Sequence, residues 1–495
     1  MRPTRPSLLV RSVPAAAASL LLAGLLALVG STPAASQDRA RAKAEVLRHA
    51  TALEGQMADM AMELWKYSEI ALAETRSAAY LADILEREGF RVTRGVADMP
   101  TAFVAEWGSG SPVVGVLAEY DALPNIGNAA VPRREARADG NPHGQGCGHN
   151  LFGSASVAAA IALKRTLDAQ HIAGTVRLYG TPAEETLVGK VYMARDGLFD
   201  GLDGVVEWHP AQATEVNNNP GLAMNSFIVE FRGQAAHSAA DPWNGRSALD
   251  GVELMDDAVN LMREHIRPTT RIHYVIPNAG DAPNVVPEYA KAWYYVRDTA
   301  RASVDGYYAW IQDIAKGAAL ATRTEATVTL LTGAHEYNLN RPLQEAMWAN
   351  LQAVGAPKFT AEEQAFGRQL QEYLGTNATG LADTLRPLAA TPQPPSGGST
   401  DVAEVSWITP TVGVSVVTAP ESVPWHSWAT TAYHGTPGAV RGAWVAARVM
   451  ALTGVDLFTD PELRRRAREA FLAKTGGVPY RSALPADQRP PVPGR

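Results

Sequence analysis

The chain has 495 residues, of which 46% are hydrophobic, and its formal net charge is −7. This length and composition allow two or three domains with sizeable cores. The acidic balance and the lack of a basic run argue against a nucleic-acid partner. The sequence contains one cysteine, so it can form no internal disulfide.

Residues 1–36 have the features of a secretory signal peptide. Three arginines, Arg2, Arg5 and Arg11, precede the apolar stretch 13–30, and small residues that suit cleavage follow at 32–36. The alternative is an uncleaved membrane anchor, although the apolar run is short for a spanning helix. In both cases the body of the chain lies outside the cytoplasm, so we predict an exported protein, periplasmic or secreted.

Strands and helices alternate in the first half of the chain. We predict two helices over 40–88, a buried apolar strand at 112–118, a helix at 150–167, and strands at 175–180 and 204–209. This alternation is typical of an α/β fold with a mostly parallel sheet flanked by helices. Similar patterns return later in the chain, so we predict a discontinuous catalytic domain over 40–223 and 336–455.

The pattern differs between residues 224 and 335. Strands and helices follow in the order β-α-β-β-α-β, which indicates an inserted, ferredoxin-like α+β domain. The last segment, 456–495, is charged and then proline-rich. We predict that it is a C-terminal tail with a loosely ordered end.

Residues that can bind a metal ion stand at the ends of several predicted strands. Asp121, Glu184, Glu185 and His209 end successive strands, and His426 follows the apolar strand 411–417. The carboxyl ends of parallel strands meet at one edge of a sheet, so we expect these side chains to converge.

Cys147 and His149 begin the helix that follows the first loop, and a glycine flanks the cysteine on each side. The glycines allow the backbone to turn tightly, so that a thiolate and an imidazole can face one ion. Together with the strand-end residues, they could bind two divalent ions that share one ligand. A thiolate bridging two ions would be fully deprotonated.

Each of these residues also has an ordinary interpretation. Cys147 could be a small buried hydrophobe, His209 a core histidine, and the two glutamates a favourable charge at a helix start. The loop 235–239 could have no function. All of these interpretations would have to hold together, so we favour the metal site.

The adjacent glutamates allow a division of labour. Neighbouring side chains on a turning backbone point apart, so that one can bind a metal while the other handles a proton. A metal-bound water has a pKa lowered toward neutrality, and a nearby carboxylate can take its proton. Hydrolysis of an amide fits this set of residues. The sequence has no glycine-rich nucleotide loop to support hydride or phosphoryl transfer.

The motifs at 146–150, 398–402 and 424–428 resemble those of the di-metal aminoacylase/carboxypeptidase family of metallopeptidases. Within it they are most similar to the branch that contains the B-type subunit of aminobenzoyl-glutamate hydrolase. The resemblance extends over residues 40–452. In this pattern Asn150 stands where many relatives have Asp.

The resemblance implies roles for individual residues. The metal ligands would be Cys147, His149, Glu185, His209 and His426, with Cys147 bridging two divalent ions, zinc or manganese. Glu184 would be the general base and acid. Asp121 would not bind a metal itself but would orient a residue that does.

The resemblance also implies that the inserted domain, 224–335, is a lid and dimerisation domain. Its His237 would reach the active site of a partner chain and stabilise the oxyanion. Asn284 and Arg297 would contact the carbonyl and carboxylate of the substrate, and the fork of an arginine suits a carboxylate. The partner would be a second copy of the chain or a related subunit.

We therefore expect a metal-dependent amidohydrolase that cleaves N-acyl or N-aroyl amino acids such as aminobenzoyl-glutamate. Tryptophans near the motifs favour an aromatic or apolar acyl group. The alternative is an exopeptidase, a carboxypeptidase or dipeptidase that acts on unblocked short peptides. A relative that only binds metal or peptide would not need Glu184 beside Glu185.

Overall fold

Two sheets, each with its own hydrophobic core, organise the protein in a computed structural model that describes residues 32–493. The predicted signal peptide lies outside the described residues except for 32–36, which begin the first helix. Within the described part of the chain, no helix has both the length and the apolar character needed to span a membrane.

The larger sheet has seven strands in the spatial order β1-β2-β4-β3-β5-β11-β6. These are β1 (Arg91–Arg94), β2 (Phe103–Ser109), β3 (Val113–Ala118), β4 (Gly174–Gly180), β5 (Gly204–Ala211), β6 (Glu215–Val216) and β11 (Thr411–Val417). The central strands β4, β3, β5 and β11 are parallel, and antiparallel strands close both edges. The prediction of a mostly parallel sheet is confirmed.

Helices cover this sheet. They are α1 (Thr32–Ala52), α2 (Glu54–Tyr67), α3 (Thr75–Arg87), α4 (His149–Gln170), α5 (Gly189–Arg195), α8 (Arg341–Val354), α9 (Ala361–Tyr373), α10 (Val402–Ser406), α11 (Trp428–His434), α12 (Pro437–Thr459) and α13 (Pro461–Thr475). The prediction of two helices over 40–88 was wrong, because there are three. The extra break falls at Leu53, a buried residue with no glycine or proline beside it to mark the position.

The inserted unit has a four-stranded antiparallel sheet in the order β10-β7-β9-β8. Its elements are β7 (Ala223–Arg232), α6 (Ala248–Met262), β8 (Arg271–Asn278), β9 (Tyr289–Asp298), α7 (Arg301–Thr322) and β10 (Glu325–Ala334). This is the ferredoxin-like order that the sequence predicts. Apolar side chains of both helices and the sheet form a separate core.

The C-terminal segment packs against the rest of the protein over its described residues, so the expectation of a loose end does not hold for residues up to 493. Leu484 is buried, and the Tyr480 hydroxyl donates a hydrogen bond to Glu404 in α10. The side-chain amide of Gln488 donates to the carbonyl of Leu330 in β10 at 2.9 Å. The segment therefore contacts both units, which the proline content alone did not suggest.

Candidate metal centre

Asp121 organises the site at the carboxyl end of β3. Nδ1 of His149 donates a hydrogen bond to Oδ1 of Asp121 at 2.9 Å. Its Oδ2 accepts the backbone N–H of Glu185 at 3.0 Å. One buried carboxylate thus orients the imidazole and fixes the loop that follows β4, and it leaves Nε2 of His149 facing the site.

Two glycines allow the loop around Cys147 to pack closely. Gly148 has a φ of +84°, and a Cβ there would lie 2.9 Å from Cε1 of His434. A Cβ on Gly146 would lie 2.4 Å from the side chain of Ile126. A larger residue at either position would displace the cysteine from its neighbours.

Asn150 is held in the core behind the site. Its side-chain amide donates hydrogen bonds to the carbonyls of Ala61 at 3.1 Å and His434 at 3.2 Å. A carboxylate could not donate either bond. The asparagine therefore suits these two carbonyls. The carboxylate oxygens of an aspartate would instead repel the carbonyl oxygens, because both are negatively charged or polarised.

Five predicted ligands meet in two overlapping clusters. One contains Cys147, His149 and His209, and the other contains Cys147, Glu185 and His426. In each cluster the possible ligand atoms lie within 4.8 Å of one another. Sγ of Cys147 is 3.4 Å from Nε2 of His209, and Nε2 of His426 is 3.4 Å from Oε2 of Glu185. Cys147 is the member common to both clusters.

The donor atoms fit a divalent metal chemically. Nε2 of His149 and Oε1 of Glu185 are buried and make no hydrogen bond, although Nε2 lies 3.2 Å from Oε2 of Glu119. Burial, with the charge of His149 added, lowers the pKa of His209 to about 3, so its imidazole is neutral as a ligand must be. Burial and the charge of Glu185 raise the pKa of Cys147 well above its ordinary value. A cation is the natural partner for this thiol, because it would favour the thiolate.

Glu184 lies beside the two clusters. It is buried, and its Oε2 is 3.9 Å from Nε2 of His149. The glutamate loop, residues 183–187, holds it between two left-handed residues, Ala183 at φ 58° and Leu187 at φ 53°. Burial and then the charge of Glu119 raise the pKa of Glu184 to about 7. A carboxyl group with such a pKa can both accept and donate a proton.

Three buried residues were missed by the sequence analysis. Oε2 of Glu119 is 3.2 Å from Nε2 of His149, and Glu119 forms a further possible metal-binding group with His149 and Glu184. Nζ of Lys190 lies 2.8 Å from Glu119 and 2.6 Å from Asp401. Glu119 directly follows β3 and stands two residues before Asp121, so its position at a strand end could have indicated it. No sequence signal marks Lys190, because lysines are rarely buried.

Two cavities flank the clusters. One of about 300 Å³ is lined by Glu184 and Glu185, and by Arg297 from the inserted unit. The other, of about 370 Å³, is lined by Arg386 and Trp425. Cys147, His209 and His426 line both. A substrate bound at the clusters would therefore border both cavities.

Arg297 points into the smaller cavity with unused hydrogen-bonding capacity. Its guanidinium donates to the Ser399 hydroxyl at 3.4 Å, while its buried Nε has no partner. Among the salt bridges of the described residues, none involves Arg297. An unpaired guanidinium in a cavity favours an anionic ligand.

The remaining two predicted residues lie elsewhere. His237 and Asn284 are exposed on the inserted unit, and neither lines the two cavities beside Cys147. Nδ1 of His237 accepts the backbone N–H groups of Ala239 and Ala240, each at 3.2 Å. A single chain thus brings together the ligands, Glu184 and Arg297, but not His237 or Asn284.

Residues 115–427 match the sequence profile of Peptidase family M20/M25/M40. The chain belongs to this family. It is 37% identical over 458 residues to the B-type subunit of the p-aminobenzoyl-glutamate hydrolase of Escherichia coli, an alignment that covers 87% of this chain and 95% of that protein. It is 30% identical to the Xaa-Arg dipeptidase of Mus musculus, over 83% of this chain and 88% of that one.

A solved structure shows the same fold. It is a dinuclear metal-binding peptidase of the M20 family from Bacillus subtilis, with a TM-score of 0.53 and 18% identity over 81% of this chain and 99% of that chain. The predicted family and fold class are confirmed. The protein is a hydrolase of amide bonds and a metallopeptidase by family.

Proposed function

We propose that this M20 family member is a metal-dependent amidohydrolase that cleaves N-acyl or N-aroyl amino acids with a free carboxylate on the amine side. The observation that carries the proposal is Arg297, whose unpaired guanidinium shares a cavity with Glu184 and Glu185. A carboxylate on Arg297 would place the neighbouring amide beside the metal-binding clusters. The 37% identity to a hydrolase of p-aminobenzoyl-glutamate supports this substrate class.

Two divalent ions, zinc or manganese, are the proposed cofactors. Cys147, His149 and His209 would hold one ion, and Cys147, Glu185 and His426 would hold the other. Thiolate and imidazole donors suit zinc, and the carboxylate also allows manganese. Bound ions would polarise the amide carbonyl and make water more acidic.

The side chains of the protein supply the remaining chemistry. Glu184 takes a proton from the attacking water and later gives it to the leaving amine nitrogen. Asp121 keeps the His149 ring in one orientation throughout. Arg297 binds the carboxylate of the substrate and aligns the bond to be broken.

A second chain is part of the proposal. His237 of another copy would stabilise the oxyanion, which accounts for its exposed position away from the clusters. The inserted unit exposes apolar side chains that a partner could cover: Trp243, Val275, Ile276, Val285 and Trp293. We propose a homodimer, with a related subunit as the alternative partner, and an exported protein on the basis of residues 1–36.

One observation favours a second candidate, a dipeptidase that acts on unblocked peptides. Glu215 and Glu421 line the larger cavity, where an acyl group would lie. Carboxylates there could bind the free ammonium of a peptide. The 30% identity to an Xaa-Arg dipeptidase points the same way.

A substrate panel tests the proposal and separates the two candidates. The purified chain, loaded with zinc or manganese, is assayed with N-benzoyl-glutamate, N-acetyl-glutamate and unblocked dipeptides that end in glutamate or arginine. We expect the highest kcat/KM for the N-blocked substrates. The Glu184→Gln variant should retain its metal and lose at least about 100-fold in kcat, because the amide cannot accept a proton.

Equal or higher rates on unblocked dipeptides would favour the dipeptidase. Undiminished hydrolysis by Glu184→Gln with metal bound would refute the role of Glu184.

A further inference from the structure

A buried cluster of charges lies directly behind the metal centre. It consists of Lys190 at the start of α5, Glu119 after β3 and Asp401 before α10. Each of these side chains is at most 1% exposed. The ammonium of Lys190 lies 2.6 Å from Oδ1 of Asp401 and 2.8 Å from Oε1 of Glu119. The proposed substrate chemistry uses none of these three groups.

The cluster reaches the proposed ligands through Glu119. While Oε1 of Glu119 contacts Lys190, its Oε2 lies 3.2 Å from Nε2 of His149. That nitrogen is the atom of His149 that would bind a metal, because Nδ1 is bonded to Asp121. The position of Glu119 therefore affects the surroundings of a ligand atom directly.

The cluster also joins two loops that line the Arg297 cavity. Lys190 follows the glutamate loop by three residues, and its backbone N–H donates to Oδ2 of Asp401 at 2.8 Å. Asp401 directly follows the serine loop, residues 398–400, which lines the same cavity. Both the backbone and the side chain of Lys190 thus connect the glutamate loop to the serine loop through Asp401.

We propose that Lys190 is a positioning residue of the metal centre, which holds Glu119 against His149 and fixes the glutamate loop to the serine loop. This inference rests on the proposed metal centre. Lys190 does not touch substrate in this role. It acts through Glu119 and Asp401, since an ammonium between two buried carboxylates keeps both charged groups in place.

The test measures zinc affinity rather than turnover. The metal-free full-length chain is titrated with zinc in competition with a chromophoric chelator, and circular dichroism verifies the folded state. Lys190→Met keeps the length of the side chain but removes its charge. We expect the dissociation constant for zinc to rise about 10- to 100-fold, the usual effect of losing a group that supports metal ligands.

A second variant keeps the test decisive if Lys190→Met does not fold. Asp401→Asn preserves size and weakens the hold on Lys190, and we expect a zinc dissociation constant about 3- to 10-fold above the parent value. The matched control is Lys43→Met, which removes a salt bridge to Asp456 at 2.7 Å in the same unit. Lys43 contacts no proposed ligand, so zinc affinity should stay within about twofold of the parent.

The outcomes separate this inference from the proposed function. Folded Lys190→Met or Asp401→Asn with parental zinc affinity would overturn the role of Lys190 and leave the metal centre intact. An equal loss in Lys43→Met would show that general destabilisation is the cause and would also overturn it. A parent chain that binds no zinc or manganese would overturn the metal centre and this inference together.

Discussion

Cys147 is the residue on which the proposed centre depends most. Its Sγ belongs to both ligand clusters, so its removal affects both at once. Buried thiols are usually inert hydrophobes, but this one lies 3.4 Å from an imidazole and beside a buried glutamate. Such polar surroundings would be unfavourable for a side chain whose only role was packing.

Replacing Cys147 should therefore separate bridging from packing. We expect Cys147→Ala to lose bound metal and at least about 100-fold in kcat/KM, because neither cluster keeps three ligands. Cys147→Asp should retain part of both, since a carboxylate can also bridge two ions. Metal analysis of the purified variants and their hydrolysis rates check this prediction.

The same variants include their own control for folding. Alanine leaves a small space, so the thermal midpoint measured without metal should change little. A fully active Cys147→Ala protein would contradict the shared-ligand arrangement and the site built on it.

Backbone conformation singles out other residues at the site. Ala183, Leu187 and His426 have φ values between 53° and 58°, a region that residues other than glycine seldom occupy. Two of them flank Glu184, and the third is itself a proposed ligand. Strain of this kind persists only where the surrounding structure enforces it, and it is concentrated at functional sites.

At the scale of elements, strand ends explain why much of the site could be predicted. Apolar runs mark β3, β4 and β5 in the sequence, and Asp121, Glu184 and His209 lie close to their carboxyl ends. Parallel strands bring such ends together irrespective of loop length. The fold class followed from the same alternation of strands and helices.

The elements that could not be predicted depend on tertiary contacts. Lys190 is buried only because Glu119 and Asp401, distant in the chain, neutralise it. The C-terminal segment is ordered because Tyr480 and Gln488 find partners in two different units. No local pattern of hydrophobicity or turn residues encodes contacts of this kind.

Helix α6 of the inserted unit contains a titratable group suited to a stability test. Asp256 is 5% exposed and accepts a hydrogen bond from the Tyr294 hydroxyl in β9. Burial raises its pKa to about 6, although the bond from Tyr294 lowers it, and the charges of Asp257 and Glu253 raise it further. The folded unit therefore binds this proton more tightly than the unfolded chain does.

The sign of the pH dependence follows from this raised pKa. The contribution of Asp256 to stability is complete below its unfolded pKa, near 4, and is lost as the pH rises through about 6. Asp256→Asn can still accept the bond from Tyr294 without acquiring a charge. Relative to the parent, its free energy of unfolding should rise by about 1 to 2 kcal/mol between pH 4 and pH 7.

Denaturant unfolding of both proteins across this pH range measures the difference. Asp313→Asn in α7 serves as a control, because that side chain is 73% exposed and its substitution should leave the pH dependence unchanged. Parallel pH profiles for Asp256→Asn and the parent would show that Asp256 is not selectively protonated in the folded unit.

For the whole molecule, the proposed active site depends on both units and on a second chain. Arg297 extends from β9 of the inserted unit to within 3.4 Å of Ser399 in the catalytic unit. Movement of one unit against the other would open or close the cavity between them, so lid motion could gate turnover. His237 would complete the site only across a dimer.

A shared site predicts complementation between two inactive proteins. Glu184→Gln disables the site in its own chain, whereas His237→Ala disables the site in its partner. A heterodimer of the two contains one site with both residues intact. After subunits exchange freely, we expect about a quarter of the parental activity, because half of the dimers are mixed and each has one working site in two.

A control mixture of two other variants separates complementation from a general stabilisation of the proteins by mixing. Glu184→Gln and Cys147→Ala both damage the site of their own chain, so every dimer formed from them lacks an intact site and should stay inactive. Subunit exchange can be verified independently with differently tagged chains. If it occurs and the mixture of Glu184→Gln and His237→Ala stays inactive, His237 does not act in the partner's site. Recovery of activity in both mixtures would contradict complementation, because subunit exchange cannot restore a site when each variant damages the site of its own chain. It would instead indicate refolding or a related subunit as the source of activity.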